Sequence, residues 1–300
     1  GDGAGPVVLL LHGLSGSAES GYLRGLQQAL ARRGFRAVAL NFRGCSGVMN
    51  DTARCYHSGE TGDLDFVMRT LRSRETGSLI GAVGFSLGGN MLLKWLGEQG
   101  NRAGVFGAAA VSVPLQLDIC ATRMDAGWSR MYRNRLLHEL KAYLSAKRAH
   151  LERIGRTEEA RRIENLGDWW GIRSFWEYDR RVVAGLYGFR DAADYYERSS
   201  ARQFLGAIRH PTLILQALDD PFMTPAVLPE ADELSAEVLI EVSRHGGHVG
   251  FVEGLEHGRP RYWLDARIPD FLDDCLDASH PIGKLCGTAH LKRSHQQQNL

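Results

Sequence analysis

The chain has 300 residues, 36 Lys and Arg against 35 Asp and Glu, and a hydrophobic share of 44%. That is enough for one large core, or for one domain carrying a substantial insertion, and the near balance of charge excludes the one-sided basic surface of a polyanion-binding protein. No apolar run reaches the roughly 18–20 residues of a membrane helix and no signal-type segment opens the chain, so a cytoplasmic protein with no nucleic-acid partner and no stable membrane insertion is expected.

In chain order, "PVVLLLHG" (6–13), "RAVALNF" (36–42), "LIGAVGF" (79–85), "VFGAAAVSV" (105–113), "PTLILQAL" (211–218) and "EVLIEVS" (237–243) are apolar on successive residues. Strands covered on both faces of a parallel sheet have this pattern. Residues 20–33, 63–74, 87–99, 226–235 and 261–276 carry helical spacing between them. The alternation predicts an α/β fold with a mostly parallel, doubly wound sheet. The rhythm breaks between 115 and 200, where helical stretches and dense aromatics replace strands; this is too long for a loop, so an inserted helical cap is expected there. The core is then 1–114 with 201–277, and the polar, basic tail 278–300 is expected to be disordered. Residues 123–162 hold eleven Lys and Arg against five Asp and Glu, a balance of +6. A solvated helix face is the plainer reading, and attraction of anionic head groups the sharper one.

The segment "AVGFSLGGNMLLKW" (82–95) contains G-x-S-x-G, which a chain of this length and composition holds by chance roughly one time in four. Context raises its meaning. Ser86 ends a strand and opens a helix, where small neighbours permit a tight turn and the helix N-terminus favours a developing oxyanion. Upstream, "LLLHGLSGS" (9–17) ends a strand in His12-Gly13; the backbone N–H groups of Leu14 and Leu87 are the candidate oxyanion donors, and His12 is read as a brace for the loop. In "LQALDDPFMTP" (215–225, following the strand from 211), a strand end carries paired acids, of which Asp220 is favoured over Asp219 as the acid that orients a histidine. In "SRHGGHVGF" (243–251), His248 is the candidate general base and His245 its competitor. His245-x-x-His248 has no third ligand at a sensible spacing, so no metal is read there, and no cofactor-binding motif is present. The order Ser86, Asp220, His248, each after its own strand, follows the α/β-hydrolase fold.

"NFRGCSG" (41–47), "YHSGETGDLDFV" (56–67), "GFSLGGNMLLKWLGE" (84–98), "DDPFM" (219–223) and "HGGHVGF" (245–251) together resemble the YheT-like branch of the α/β-hydrolases, from about residue 6 to residue 275. The resemblance implies a serine esterase or lipase-type hydrolase in which Ser86, Asp220 and His248 match the catalytic positions. A small ester or lipid-like substrate is expected, with short to medium acyl chains preferred. Members of that branch usually carry a long segment before the oxyanion strand, so the first strands of the sheet are expected to be missing and a sheet edge exposed.

Other residues carry two readings. Arg43 and His57 line a pocket or, as favoured, tie loops together, with Glu60 or Asp63 as acceptors. Trp169, Trp170, Phe175 and Trp176 form either an acyl pocket or the core of the cap. Cys45, Cys55, Cys120, Cys275 and Cys286 show neither CxxC nor zinc spacing and are read as free thiols of a reducing compartment, Cys45 and Cys55 as packing groups. The same catalytic set also serves an acyltransferase or thioesterase, and a catalytically silent ligand receptor is the alternative outside enzymology.

Overall fold

A computed structural model describes residues 5–256 and 258–277, together with the backbone of 291–293. Its centre is a parallel sheet of β1 (Val7–Leu11), β2 (Arg36–Leu40), β3 (Ile80–Phe85), β4 (Ala108–Val111), β5 (Thr212–Ala217) and β6 (Val238–Ser243), in the spatial order β2-β1-β3-β4-β5-β6. The first strand of the sequence therefore lies inside the sheet, and the chain winds outward from it in both directions. β1, β3, β4 and β5 are buried at every residue, whereas β2, at the edge of the described sheet, is only half-buried.

The pleat divides the strand side chains between two layers. Val7, Leu9 and Leu11 point into one apolar cluster with Ala82, Ile214 and Trp95, while Val8 and Leu10 point into another with Val83, Phe85, Leu213 and Leu215. This alternation follows from the period of two in a strand and explains why the strands are apolar without interruption. The first cluster is covered by α2 (Gly62–Arg74) and α3 (Leu87–Gln99), the second by α1 (Gly21–Arg32) and the final helix (Leu264–Leu276). α3 is buried at each residue from Leu87 to Leu96, the position of a central helix roofed by other elements.

Between β4 and β5 the chain forms α4 (Leu117–Arg123), α5 (Ser129–Arg153), α6 (Thr157–Glu164), α7 (Phe175–Tyr178), α8 (Ala184–Tyr187) and α9 (Ala192–Ser199). These helices have their own apolar cluster, with Leu137, Leu144, Leu151, Ile163, Trp169, Tyr178 and Tyr195 among its members. Two lysines of α5 are buried within it. Lys147 donates to the carbonyl (2.7 Å) and side-chain oxygens of Asn50, and Lys141 to the carbonyls of Trp170 (3.2 Å) and Ile172.

Two expectations from the sequence are corrected. Residues 226–235 do not form a helix but two short 3-10 turns, Pro225–Val227 and Ala231–Glu233. Pro229 holds the residue before it, Leu228, in extended backbone (φ −68°, ψ 135°), and a reciprocal Glu230–Glu233 cap closes the second turn after one revolution. The helix expected from 261 starts at Leu264 as α10; the residues before it form an antiparallel hairpin of β7 (Val252–Glu256) and β8 (Arg259–Tyr262), exposed throughout. Of the tail 278–300, the backbone of β9 (Leu291–Arg293) lies parallel to β6; the rest, with Cys286, is outside the described residues.

Candidate active site

The turn from β3 into α3 holds Ser86 in a left-handed conformation (φ 51°, ψ −120°), which a non-glycine residue adopts only when its surroundings fix it. Those surroundings are visible. The Ser86 N–H donates to the Val111 carbonyl of the neighbouring strand (2.8 Å), and the Ser86 carbonyl accepts from Asn90 N–H (3.0 Å). The flanking glycines are needed for space rather than flexibility. A Cβ on Gly84 would lie 2.5 Å from the Gly88 carbonyl oxygen, and one on Gly88 would lie 2.5 Å from that of His12. The spacing of glycines around Ser86 is therefore the imprint of α3 packing tightly on the ends of β1 and β3.

His248 lies between Ser86 and Asp220. Its Nε2 is 2.9 Å from Ser86 Oγ and its Nδ1 is 2.8 Å from Asp220 Oδ2. The Asp220 side chain is fully buried, and its other oxygen accepts from Phe222 N–H at 2.8 Å. An acid on Nδ1 fixes the tautomer that leaves Nε2 unprotonated and facing the serine hydroxyl. The Phe222 ring stacks on the imidazole, with centroids 4.0 Å apart.

The loop carrying His248 is secured from two sides. Asp219 Oδ1 accepts from the N–H groups of both Gly246 and Gly247, each at 2.9 Å, so the second acid of the Asp-Asp pair holds the histidine loop instead of the histidine. His245 is exposed and faces Asp219 Oδ2 at 3.6 Å. On the far side, Val249 N–H donates to Ser112 Oγ (3.0 Å). Ser112 follows β4, is fully buried, and has φ 50°; Val249 and Phe251 also have positive φ (68° and 45°). Sequence reasoning missed Ser112. The available signal was a polar residue closing the apolar run "AAAV", in the strand that pairs Val111 with Phe85, next to Ser86.

The loop after β1, which carries the candidate donor Leu14, is braced by one buried and two half-buried rings. His12 is fully buried; Nδ1–H donates to the Gly13 carbonyl (2.7 Å) and Nε2 accepts from Phe42 N–H (3.2 Å), a pairing that needs the neutral ring, and burial lowers its pKa. The hydroxyl of Tyr22 accepts from Gly13 N–H (2.9 Å) and that of Tyr56 from Ser15 N–H (3.0 Å). Burial pushes the pKa of both phenols up, keeping them protonated. Leu14 lies between these anchored residues, and Leu87 is the first residue of α3. Neither backbone N–H has a protein acceptor among the described residues.

The residues with two readings resolve by contact. Arg43 binds Asp63 through two hydrogen bonds of 2.5 Å, and Arg54 binds Glu60 at 2.9 Å. Gly44, between the two loops, has φ +79° and abuts the Tyr143 ring of α5, so a side chain there would both strain the backbone and strike the cap. His57 is enclosed edge-on by Tyr187, Phe189 and Tyr195, and burial drives its pKa down to about 3. Trp169, Phe175 and Trp176 pack in the cap cluster, while Trp170 remains about half exposed. Burial raises the Cys45 thiol to about 11, so it stays a thiol.

Comparisons with known proteins place the fold and the family. The family profile described as alpha/beta hydrolase fold matches residues 6–255. The Escherichia coli (strain K12) protein named "Putative esterase YheT" is 41% identical over 91% of this chain and 78% of its own length. Phospholipase ABHD3 of Mus musculus is 28% identical over 93% of this chain, which spans only 66% of that relative. Among solved structures, the Pyrococcus furiosus esterase Pf2001 superimposes with a TM-score of 0.54 at 17% identity, covering 91% of this chain and 84% of that one, a likeness of fold. The chain belongs to the α/β-hydrolase family and, within it, to the YheT-like branch of ester hydrolases.

Proposed function

We propose that the enzyme cleaves carboxylic esters, with short- to medium-chain acyl groups or lipid-like substrates, through a Ser86–His248–Asp220 acyl-enzyme mechanism. The observation that carries this reading is the single imidazole within hydrogen-bond distance of both the Ser86 hydroxyl and the buried Asp220 carboxylate. Ser86 Oγ attacks the ester carbonyl carbon while His248 Nε2 takes its proton, and Asp220 stabilises the imidazolium. The tetrahedral oxyanion is held by the Leu14 and Leu87 N–H groups, supported by the N-terminus of α3. Collapse breaks the ester C–O bond, and the alkoxide leaves with the proton from His248. Water, deprotonated by the same imidazole, then attacks the acyl-serine and releases the carboxylic acid, returning the proton to Ser86.

A cytoplasmic setting belongs to the same reading. Cys45, Cys55, Cys120 and Cys275 are free thiols, as expected in a reducing compartment. Among the described residues no helix is long and apolar enough to cross a membrane.

The test is a panel of p-nitrophenyl esters of rising acyl length, assayed with wild type and Ser86→Ala. Hydrolysis should peak at short to medium chains and fall by a factor on the order of 10⁴ or more in the variant. An inactive wild type across the panel, or equal rates in the two proteins, would count against the ester-hydrolase mechanism. Turnover of thioesters with no ester cleavage would move the assignment to a thioesterase on the same residues.

A further inference from the structure

Trp128 immediately precedes α5, and Met131, Tyr132 and Arg135 follow at helical spacing, so the four share one stripe on the solvent side of the cap. Their apolar side chains are open: Trp128 is 85% exposed, Met131 61% and Tyr132 41%. The stripe continues one turn further along, where Trp170, 46% exposed, packs edge-on against His138 with ring centroids 5.8 Å apart. The opposite side of the same helix is buried through Leu137, Lys141, Leu144, Lys147 and Leu151. α5 thus buries one face in the cap and leaves three large apolar side chains uncovered on the other. A contiguous exposed group of this size marks an interaction surface.

Charge and composition indicate what covers it. Arg130 and Arg135 are exposed beside the aromatic rings. Asp125 pairs with Arg133 (2.7 Å) and Glu139 with Arg135 itself (3.0 Å), so among the described residues Arg130 carries no ion pair and Arg135 shares its charge with one exposed acid. Residues 123–162 as a whole carry +6. Tryptophan, tyrosine and methionine flanked by arginine are the composition of a helix lying in the plane of an anionic bilayer, with rings at head-group depth and guanidinium groups on phosphates. Position adds a second argument. The Tyr132 ring packs on Phe222 (5.3 Å), which stacks on His248, and Ser129 Oγ donates to the Pro221 carbonyl beside Asp220. The stripe begins one ring away from the candidate base.

We propose that the Trp128–Met131–Tyr132–Trp170 stripe docks on an anionic phospholipid surface and so brings the site to ester-linked lipid. The statement about substrate rests on the ester-hydrolase reading above; the docking itself does not.

Co-sedimentation of the full chain with vesicles tests it, using phosphatidylcholine alone and phosphatidylcholine with phosphatidylglycerol. Wild type should bind the anionic vesicles at least tenfold more tightly than the neutral ones, and lose that binding as salt rises. Trp128→Ser with Met131→Ser, and separately Arg130→Gln with Arg135→Gln, should each weaken binding at least fivefold while hydrolysis of a soluble short ester stays within twofold. Quenching of tryptophan fluorescence by brominated lipid should fall in the first pair, with Trp170 left as the tryptophan of the stripe. Absence of vesicle binding by wild type overturns the proposal, as does equal binding by wild type and both variant pairs, or binding indifferent to lipid charge. A dimer seen by light scattering that the Trp128 and Met131 changes abolish, with no vesicle binding, would reassign the stripe to self-association. Ser86→Ala should bind vesicles like wild type, so a failure of the catalytic reading and a failure of docking are told apart.

Discussion

The carboxyl ends of β3, β4, β5 and β6 and the cap of α4–α9 solve the same problem, fixing polar groups away from water, in different ways. At the strand ends the means are short side chains and backbone: Asp219 on two loop N–H groups, Ser112 on one, and Asp220 shared between Phe222 N–H and His248. In the cap they are long cations laid on carbonyl oxygens and phenols paired with buried acids, as in Lys141, Lys147 and the Tyr196–Asp179 bond of 2.7 Å. Short links on rigid strands hold reacting atoms to within fractions of an ångström. Long links stabilise a body while leaving it more adjustable. The comparison assigns geometry to the core and adaptable coverage to the cap, and substitutions in the two regions should fail differently.

The largest effect should come from Asp220. Asp220→Asn should lower kcat by on the order of 10³–10⁴-fold with a native fold, because the amide no longer holds the imidazole in the reactive tautomer. Asp219→Asn should cost roughly tenfold, the equivalent of about 1.4 kcal/mol for a loosened loop. Steady-state kinetics and circular dichroism on the two variants check this; a larger loss at Asp219 would reverse the two roles. Next in size, Ser112→Ala should lower kcat by about five- to tenfold with little change in KM, since its hydroxyl holds Val249 and touches no substrate.

How much of this could be read in the sequence follows the same division. The site was legible because each candidate residue lies within a few positions of the end of an apolar strand, so a local pattern carried a spatial meaning. Gly84 and Gly88 are sequence marks of one packing contact. Ser112 was not legible, because its role is set by Val249, far along the chain and adjacent only once β3 to β6 are assembled. The hairpin before α10 was hidden by exposure: Val252–Glu256 and Arg259–Tyr262 bury neither face, and a strand with two wet faces has no alternation to detect. The partners of the cap are equally non-local, as with Lys147 and Asn50 or Tyr143 and Gly44.

In the cap, effects should fall on stability and spare chemistry. Lys147→Met should destabilise by about 1–3 kcal/mol, because both Asn50 oxygens lose their buried donor. Thermal melts should register the loss while kcat on a soluble ester at low temperature stays near wild type; an unchanged melting temperature would remove the buried lysine from the account. The last effect expected is pH-dependent. Burial pushes the Asp179 carboxyl up to about 7 from its ordinary value near 4. Folding therefore takes up a proton between those values, so this group's contribution to stability is greatest at acid pH and is lost as pH rises towards 7. Asp179→Asn cannot titrate, so its melting temperature should gain on wild type from pH 5 to pH 8; a constant difference would exclude the linkage.

The central claim is that Ser86 is the activated nucleophile at the end of β3, and covalent labelling tests it most directly. A fluorophosphonate probe, followed by digestion and mass spectrometry, should place one label per chain on the peptide containing Ser86, with no label in Ser86→Ala and much slower labelling in His248→Ala. An unlabelled wild type, or a label that persists in Ser86→Ala, would contradict the account.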